Sequence, residues 1–414
     1  GFSPSNLLNF YFQKMSLLNA TRRHPSKLRL CYVRFLSSFK YEDLQITITD
    51  KPAPKPDNDS LKFGAQFTDH MLEIDWTAQN GWGFPQIKPL EAFKIHPAAK
   101  VLHYATELFE GMKAYRGIDN KIRLFRPMEN INRLTSSAQR TALPEFDKGE
   151  LLKCMKKLIS IDQEWVPYSE KCSLYIRPTY IGTEPTLGVA SSNQAKLFII
   201  AGPVGPYFPT GMKPVNLLAD PKYVRAWPGG CGTYKMGCNY APTIAIQDLA
   251  VKKYNCQQVL WLFGEDHQMT EVGTMNLFIY WINENGEKEL ITPPLESGLI
   301  LPGITRKSLL ELSRQWNEFK VTEQNITIER FKKALFDGRV KEVFGAGTAC
   351  VVCPVKKIVF KGEDLNIQTS DDATSLTQRF FKTINDIHYY HKANNWMEAV
   401  EEDEEESLRT FESQ

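Results

Sequence analysis

Ten residues near the middle of the chain, GPVGPYFPTG at 202–211, hold three glycines and three prolines. Proline fixes φ and offers no amide, and glycine loosens the backbone, so no helix or ladder strand is expected to run through them. Patterned apolar segments stand on both sides, and the stretch is predicted to connect two folding units. The full 414 residues also exceed what one hydrophobic core ordinarily serves. The expected class is α/β, with a small α+β domain over 61–201 and a larger α/β domain over 212–400.

Before the connector, LFEGMKAYRG and KIRLFR read as hairpin arms turning near Asp119 and Asn120. NRLTSSAQRTAL and KGELLKCMKKLISIDQEWV carry helical spacing, while SLYIRPTYIG and KLFIIAGPV read as strands of a mostly antiparallel sheet. After it, VNLLAD, QVLWLFG, MNLFIYWI, KEVFGAG and VKKIVF are predicted strands. APTIAIQDLAVKKY, RKSLLELSRQWNEF and TQRFFKTINDIHYY are predicted helices. No apolar run approaches the roughly 18 residues of a membrane helix, so no membrane partner is expected.

Charge is uneven along the chain. Residues 1–40 carry seven Lys or Arg and no acid, whereas 401–414 carry seven acids against Arg409. The near-neutral body between them lacks the basic patch that nucleic acid demands. From Met15 to Lys40 the composition is that of a mitochondrial transit peptide, so 1–40 is expected to be a targeting segment. The matrix is then the expected compartment and the cytoplasm the alternative, with Gly1–Lys14 read as translated leader. A Pro- and Asp-rich linker is expected over 41–60 and a solvated acidic tail over 401–414. Eight scattered cysteines suit an intracellular compartment, and only Cys350 and Cys353 form a CxxC pair. No second pair or histidine spacing completes a zinc site, so no metal is expected.

The chemistry centres on Lys235, in GGCGTYKMGCNYAP from Gly229. A lysine that keeps some neutral amine is a nucleophile able to form a Schiff base with a carbonyl, and glycines let a flat ligand come close. Taken alone, a lysine in such a loop is far more often merely solvated. Glu271, in TEVGTMNLF between two apolar strands, is expected to be buried, where a carboxylate needs a partner to share a proton or charge. LPGITRKSLLEL starts a helix near Gly303 whose free amides suit a phosphate, and Arg133 offers a bidentate clamp. FGAGTAC offers further amides for a carboxylate. Tyr175 and Arg177 share one strand face.

Together, GTYKMGCNY, TEVGTMN, LFEGMKAY, SLYIRP, LPGITR and GAGTACVVCPV resemble the branched-chain aminotransferases, fold-type IV pyridoxal-phosphate enzymes, over about residues 61–398. The paired cysteines are similar to the animal-type enzymes, and FTDHM and SSFKYEDLQ to the mitochondrial form. The resemblance implies pyridoxal 5'-phosphate anchored on Lys235, with Glu271 at its pyridine nitrogen and Tyr240 at its phenolic oxygen. Arg133, Ile304, Thr305, Thr274 and Thr348 complete the implied cofactor site. It further implies reversible transamination of leucine, isoleucine and valine with 2-oxoglutarate by a homodimer. The implied substrate pocket comprises Phe63, Tyr104, Phe109, Tyr175 and Val189, some from a second subunit. Thr348 and Ala349 would take the carboxylate, Arg177 would admit glutamate, and Cys350 and Cys353 would form a redox-sensitive pair.

Three features depart from the family pattern: Cys238 in place of a glycine, Ala346 in place of a serine, and one extra residue near Lys253 and Tyr254. Two rival readings stay open. One is another fold-type IV enzyme, a D-amino-acid transaminase or lyase; the more remote one is a CxxC thiol redox protein.

Overall fold

The computed structural model describes residues 38–206, 212–368 and 374–401. The basic head up to residue 37, the second half of the predicted connector and the acidic tail beyond residue 401 lie outside the described residues. No helix among the described residues is long and apolar enough to cross a membrane.

Alternating and apolar segments before the connector form nine strands of a ten-stranded sheet. These strands are β1 (Gln45–Ile46), β2 (His70–Thr77), β3 (Gly81–Trp82), β4 (Gln86–Pro89), β5 (Glu107–Phe109), β6 (Met112–Arg116), β7 (Ile122–Phe125), β8 (Ser173–Gly182) and β9 (Gln194–Val204). They run in the order β1-β4-β2-β9-β8-β6-β7, with β3 on β2 and β5 on β8. Every pairing among them is antiparallel except β1 with β4. The predicted hairpin is present: Gly117 N–H donates to Lys121 O, and Asn120 takes the left-handed conformation that asparagine tolerates.

Three helices accompany this sheet, α1 (Lys100–Tyr104), α2 (Pro127–Arg140) and α3 (Lys148–Ile161). Proline opens α2, where its missing amide costs nothing, and Asp147 caps α3 by accepting from Glu150 N–H at 3.0 Å. Ile131, Leu134, Leu151 and Leu158 pack from these helices against Leu174, Ile176 and Leu197 of the sheet. Each such side chain stabilises the fold by roughly 1.5–3 kcal/mol. Along β8 the burial alternates: Leu174, Ile176 and Tyr180 point into this core, and Tyr175 and Arg177 point out of it, as their spacing predicted.

Past the connector the strands build a second sheet: β10 (Val215–Ala219), β11 (Gln258–Phe263), β12 (Gln268–Val272), β13 (Met275–Ile282), β14 (Lys288–Thr292), β15 (Lys320–Glu323), β16 (Val340–Gly347), β17 (Val351–Phe360) and β18 (Glu363–Asn366). β12 pairs with both β11 and β13, so β12, β11, β10, β17, β16 and β13 close a six-membered ring of strands. Helices α4 (Ala241–Tyr254), α5 (Ile304–Trp316), α6 (Ile328–Phe336) and α7 (Leu376–His388) complete this half. A last strand, β19 (Met397–Ala399), returns to pair with β7 of the first sheet.

Three sequence expectations are corrected. Gly202–Val204 is not connector but the end of β9; Gly202 is required because a Cβ there would stand 2.0 Å from Gln66 O, a close approach rather than a turn. Phe39, assigned to the targeting segment, is only 1% exposed and packs on Trp82 with ring centroids 5.1 Å apart. The predicted linker also contributes β1 to the first sheet.

Candidate active site

The loop between β10 and α4 carries Lys235 away from its own sheet and onto β5 of the other. Phe109 N–H donates to Lys235 O at 3.0 Å, Leu108 and Met236 form an isolated antiparallel bridge, and Lys235 N–H donates to Ser137 Oγ at 2.9 Å. Gly237 is what permits this seat, since a Cβ there would stand 1.5 Å from Glu107 Oε1. So held, Lys235 Nζ donates to Tyr240 Oη at 3.0 Å and lies 4.8 Å from the centre of the Phe109 ring. The Phe109 and Tyr240 rings are themselves 5.0 Å apart. A half-buried primary amine thus sits against a phenol and an aromatic face.

Glu271 lies not in a loop but in β12, paired with Trp261 on one side and Asn276 on the other, and it is 2% exposed. Its Oε1 accepts from Leu301 N–H at 2.7 Å and from Asn276 Nδ2 at 3.3 Å, and its Oε2 meets Arg225 Nε at 2.9 Å. Burial drives the Glu271 carboxyl above its ordinary range; Arg225 most, then the Leu301 amide, Lys235 and Arg133 pull it back. Arg225 was not foreseen. A buried acid announces that it needs a cation, but the chain between residues 225 and 271 contains nothing that says which one.

Arg133, on α2, does not present a free fork. Its Nε and Nη2 grip Glu110, itself fully buried, at 2.7 and 2.9 Å, and its Nη1 donates to Pro302 O at 3.0 Å. The expected bidentate clamp is therefore corrected: Glu110 occupies that face of the guanidinium, and Arg133 lines the cleft beside Pro302 and Gly303. The start of α5 meets expectation better. No side chain caps it, leaving the first amides at Ile304 and Thr305 open to an acceptor. Arg133, Thr233, Pro302, Gly303 and Ile304 line one cleft of about 570 Å³. Ile304, Thr305 and Thr348 share a narrower crevice with Asn130. Thr274 stands exposed in the turn between β12 and β13, next to Gly347.

The residues expected to bind substrate fall into two groups. Phe63, Phe109, Tyr175 and Arg177 join the lysine: the Phe63 and Tyr175 rings are 4.8 Å apart, Arg177 Nη2 donates to Tyr175 Oη at 2.9 Å, and its guanidinium lies 4.6 Å from the Phe109 ring centre. Gly111 makes room, because a Cβ there would meet Tyr175 Oη at 2.1 Å. Arg177 Nε is buried and has no hydrogen-bond partner among the described residues. Tyr104 and Val189 belong instead to an outer loop pair, where Tyr104 Oη donates to Leu187 O and Val189 is 85% exposed.

Ala349 O accepts from Lys113 Nζ at 3.0 Å, a buried lysine whose pKa is lowered to about 8 by its burial. Cys350 and Cys353 are free thiols buried in the second core. Cys350 Sγ contacts Met275 Sδ at 3.2 Å, and burial pushes its thiol up to about 12.

A family model described as amino-transferase class IV matches residues 107–358. The chain is 58% identical over 360 residues to the cytosolic branched-chain-amino-acid aminotransferase of Mus musculus, a match covering 87% of this chain and 93% of that protein. It is 53% identical over 366 residues to the mitochondrial branched-chain-amino-acid aminotransferase of Bos taurus, covering 88% and 93% respectively. Among solved structures, the fold is similar to that of a Thermobaculum terrenum branched-chain amino acid aminotransferase in PLP-form, with a TM-score of 0.65 at 18% identity, covering 81% of this chain and all of the other. The Escherichia coli branched-chain amino acid aminotransferase gives 0.61 at 22% identity, covering 80% of this chain and all of that one.

Proposed function

From the premise that this chain belongs to the class IV aminotransferases, as a branched-chain-amino-acid aminotransferase, we propose how its own residues carry out the reaction. The enzyme transaminates branched-chain amino acids with pyridoxal phosphate as cofactor. Membership displaces the lyase, D-amino-acid and thiol-oxidoreductase readings that the residues alone left open.

The donor set suits that cofactor. An amine and a phenol stand 3.0 Å apart, a buried carboxylate lies within the electrostatic reach of the amine, and an uncapped helix start shares a cleft with Arg133. When bound, the cofactor supplies a protonated pyridine ring that draws electrons away from the substrate Cα. Lys235 would anchor it and, as a free amine, would move the proton at the substrate Cα. Glu271 holds the proton on the pyridine nitrogen; burial leaves its carboxylate short of positive charge, and a ring N–H⁺ makes up what Arg225 does not. Tyr240 donates to the phenolic oxygen. The amides of Ile304 and Thr305, with Thr348 and Thr274, hold the phosphate end, and Arg133 adds charge.

Phe63, Phe109 and Tyr175 form an apolar wall that separates one methylene from the next by only about 1–3 kcal/mol, so leucine, isoleucine and valine all react. Arg177, with its partnerless Nε, receives the side-chain carboxylate of glutamate, which makes 2-oxoglutarate the shared acceptor. Thr348 and Ala349 hold the α-carboxylate. A homodimer is supported by the exposed Leu102, Tyr104, Leu187 and Val189, an apolar surface suited to cover by a second copy. The composition of the head supports the mitochondrial matrix. Oxidation of Cys350 and Cys353 would pull on the Thr348–Ala349 turn that holds substrate.

The single observation that carries this reading is Lys235 Nζ placed at Tyr240 Oη, over Phe109 and within the field of Glu271. The test is a visible spectrum before and after borohydride together with an assay of leucine with 2-oxoglutarate. Wild type is coloured, is fixed on Lys235 and forms glutamate; Lys235→Ala does none of these. Turnover at the wild-type rate in Lys235→Ala would refute the assignment.

A further inference from the structure

Within the lysine loop itself, Cys231 Sγ and Cys238 Sγ lie 3.7 Å apart, and both thiols are free and half-buried. No step of the reaction uses either one. The surrounding hydrogen bonds hold the two ends of this loop together: Asn239 Nδ2, one residue past Cys238, donates to Cys231 O and to Tyr234 O, both at 2.8 Å, and Tyr234 N–H donates to Cys231 O at 3.0 Å. A disulfide needs its sulfurs at about 2.05 Å, so closure asks for an approach of about 1.7 Å, within the reach of side-chain rotation when the backbones are already tied.

We propose that Cys231 and Cys238 form a second oxidisable dithiol, one that closes a disulfide around Lys235. A hydroperoxide is the oxidant. One thiolate attacks its oxygen, the O–O bond breaks and an alcohol or water leaves; the second thiol then displaces water from the resulting sulfenic sulfur. Two S–H bonds are exchanged for one S–S bond, and two electrons and two protons pass to the peroxide. Burial and the neighbouring Cys231 hold the Cys238 thiol up at about 11, so the reaction is slow at neutral pH and accelerates with alkalinity.

The closed ring would brace the segment that must move. Gly237 has no clearance on the Glu107 side, and Gly232 has none on the Ala226 side, where a Cβ would stand 2.5 Å from the Ala226 Cβ. Closure by side-chain rotation therefore fixes the loop backbone around Lys235 where Gly232 and Gly237 seat it. Gly232 O also accepts from Arg225 Nη2 at 3.3 Å, which links the ring to the cation that holds Glu271. The cross-link does not depend on the catalytic reading of Lys235; its effect on rate does.

The experiment treats the cofactor-loaded enzyme with hydrogen peroxide, alkylates the remaining thiols, and maps the disulfides by peptide mass spectrometry beside a leucine transamination assay. A Cys231–Cys238 peptide pair is expected to appear in proportion to a fall in kcat of about tenfold or more, since small misplacements of a catalytic group carry costs of this order. Dithiothreitol should reverse both changes. Cys238→Ala, or Cys231→Ser should the first fail to fold, is expected to remove the cross-link and the share of activity loss that tracks it. Both cysteines alkylated after peroxide has halved the activity would overturn the dithiol. A full-yield cross-link with unchanged kcat would overturn the coupling to Lys235 while leaving the site itself in place.

Discussion

Replacing Arg225 by methionine keeps most of the side-chain volume and removes the cation at 2.9 Å from Glu271. Two carbonyls, Leu299 O and Gly232 O, lose donors at 3.2 and 3.3 Å as well. Those losses do not depend on pH and cost about 1–2 kcal/mol together. The charge term does depend on it. Burial already makes folded Glu271 bind its proton more tightly than the unfolded chain, whose carboxyl sits near the ordinary 4.5. Ionising it therefore weakens the cofactor-free fold as pH rises from the ordinary value through the raised one, and the loss persists above that. Without Arg225 the folded value rises further, so the penalty extends to higher pH. Breaking a buried pair typically costs about 3–5 kcal/mol in all, which leaves about 1–4 kcal/mol for the pH-dependent part.

Urea unfolding of cofactor-free wild type and Arg225→Met, from about pH 5 to pH 8, should thus show a stability gap that widens by about 2 kcal/mol. Adding Glu271→Gln to Arg225→Met should recover about as much at pH 8, because an amide needs no cation. A gap that stays flat with pH, or a double variant no better than the single, would refute the coupling.

Two further perturbations probe the same region. Gly237→Ala drives a Cβ into Glu107 and should cost about 1–3 kcal/mol of stability. It should also lower kcat more than it changes KM, with Glu107→Ala restoring part of the loss; wild-type steady-state constants would show that the close seat on β5 is unimportant. For the CxxC pair, burial holds Cys350 near 12, so peroxide inactivation through it should accelerate about tenfold per pH unit between about pH 7 and 9. Cys350→Ser should abolish that component, and equal sensitivity in variant and parent would place the reactive thiols elsewhere.

Much of this protein can be read from local pattern. Alternation put Tyr175 and Arg177 on one face of β8, helical spacing located α2 and α5, and the uncapped start at Gly303 followed from its composition. Lys235 and Glu271 stood out because their residue types sit badly in apolar or glycine-rich surroundings unless something answers them. What answers them was decided only by tertiary structure. The lysine loop leaves the second sheet to pair with β5 of the first, Arg225 rather than another cation meets Glu271, and Glu110 takes the fork of Arg133. Phe39 joins the core from beyond the predicted boundary, and Cys231 reaches Cys238 across the lysine. Periods of 2 and 3.6 residues are properties of neighbouring positions, and one chain displays them directly. Which buried charge or thiol faces which depends on pairings between distant strands, and each of those contacts exists only once the sheets have set the distance.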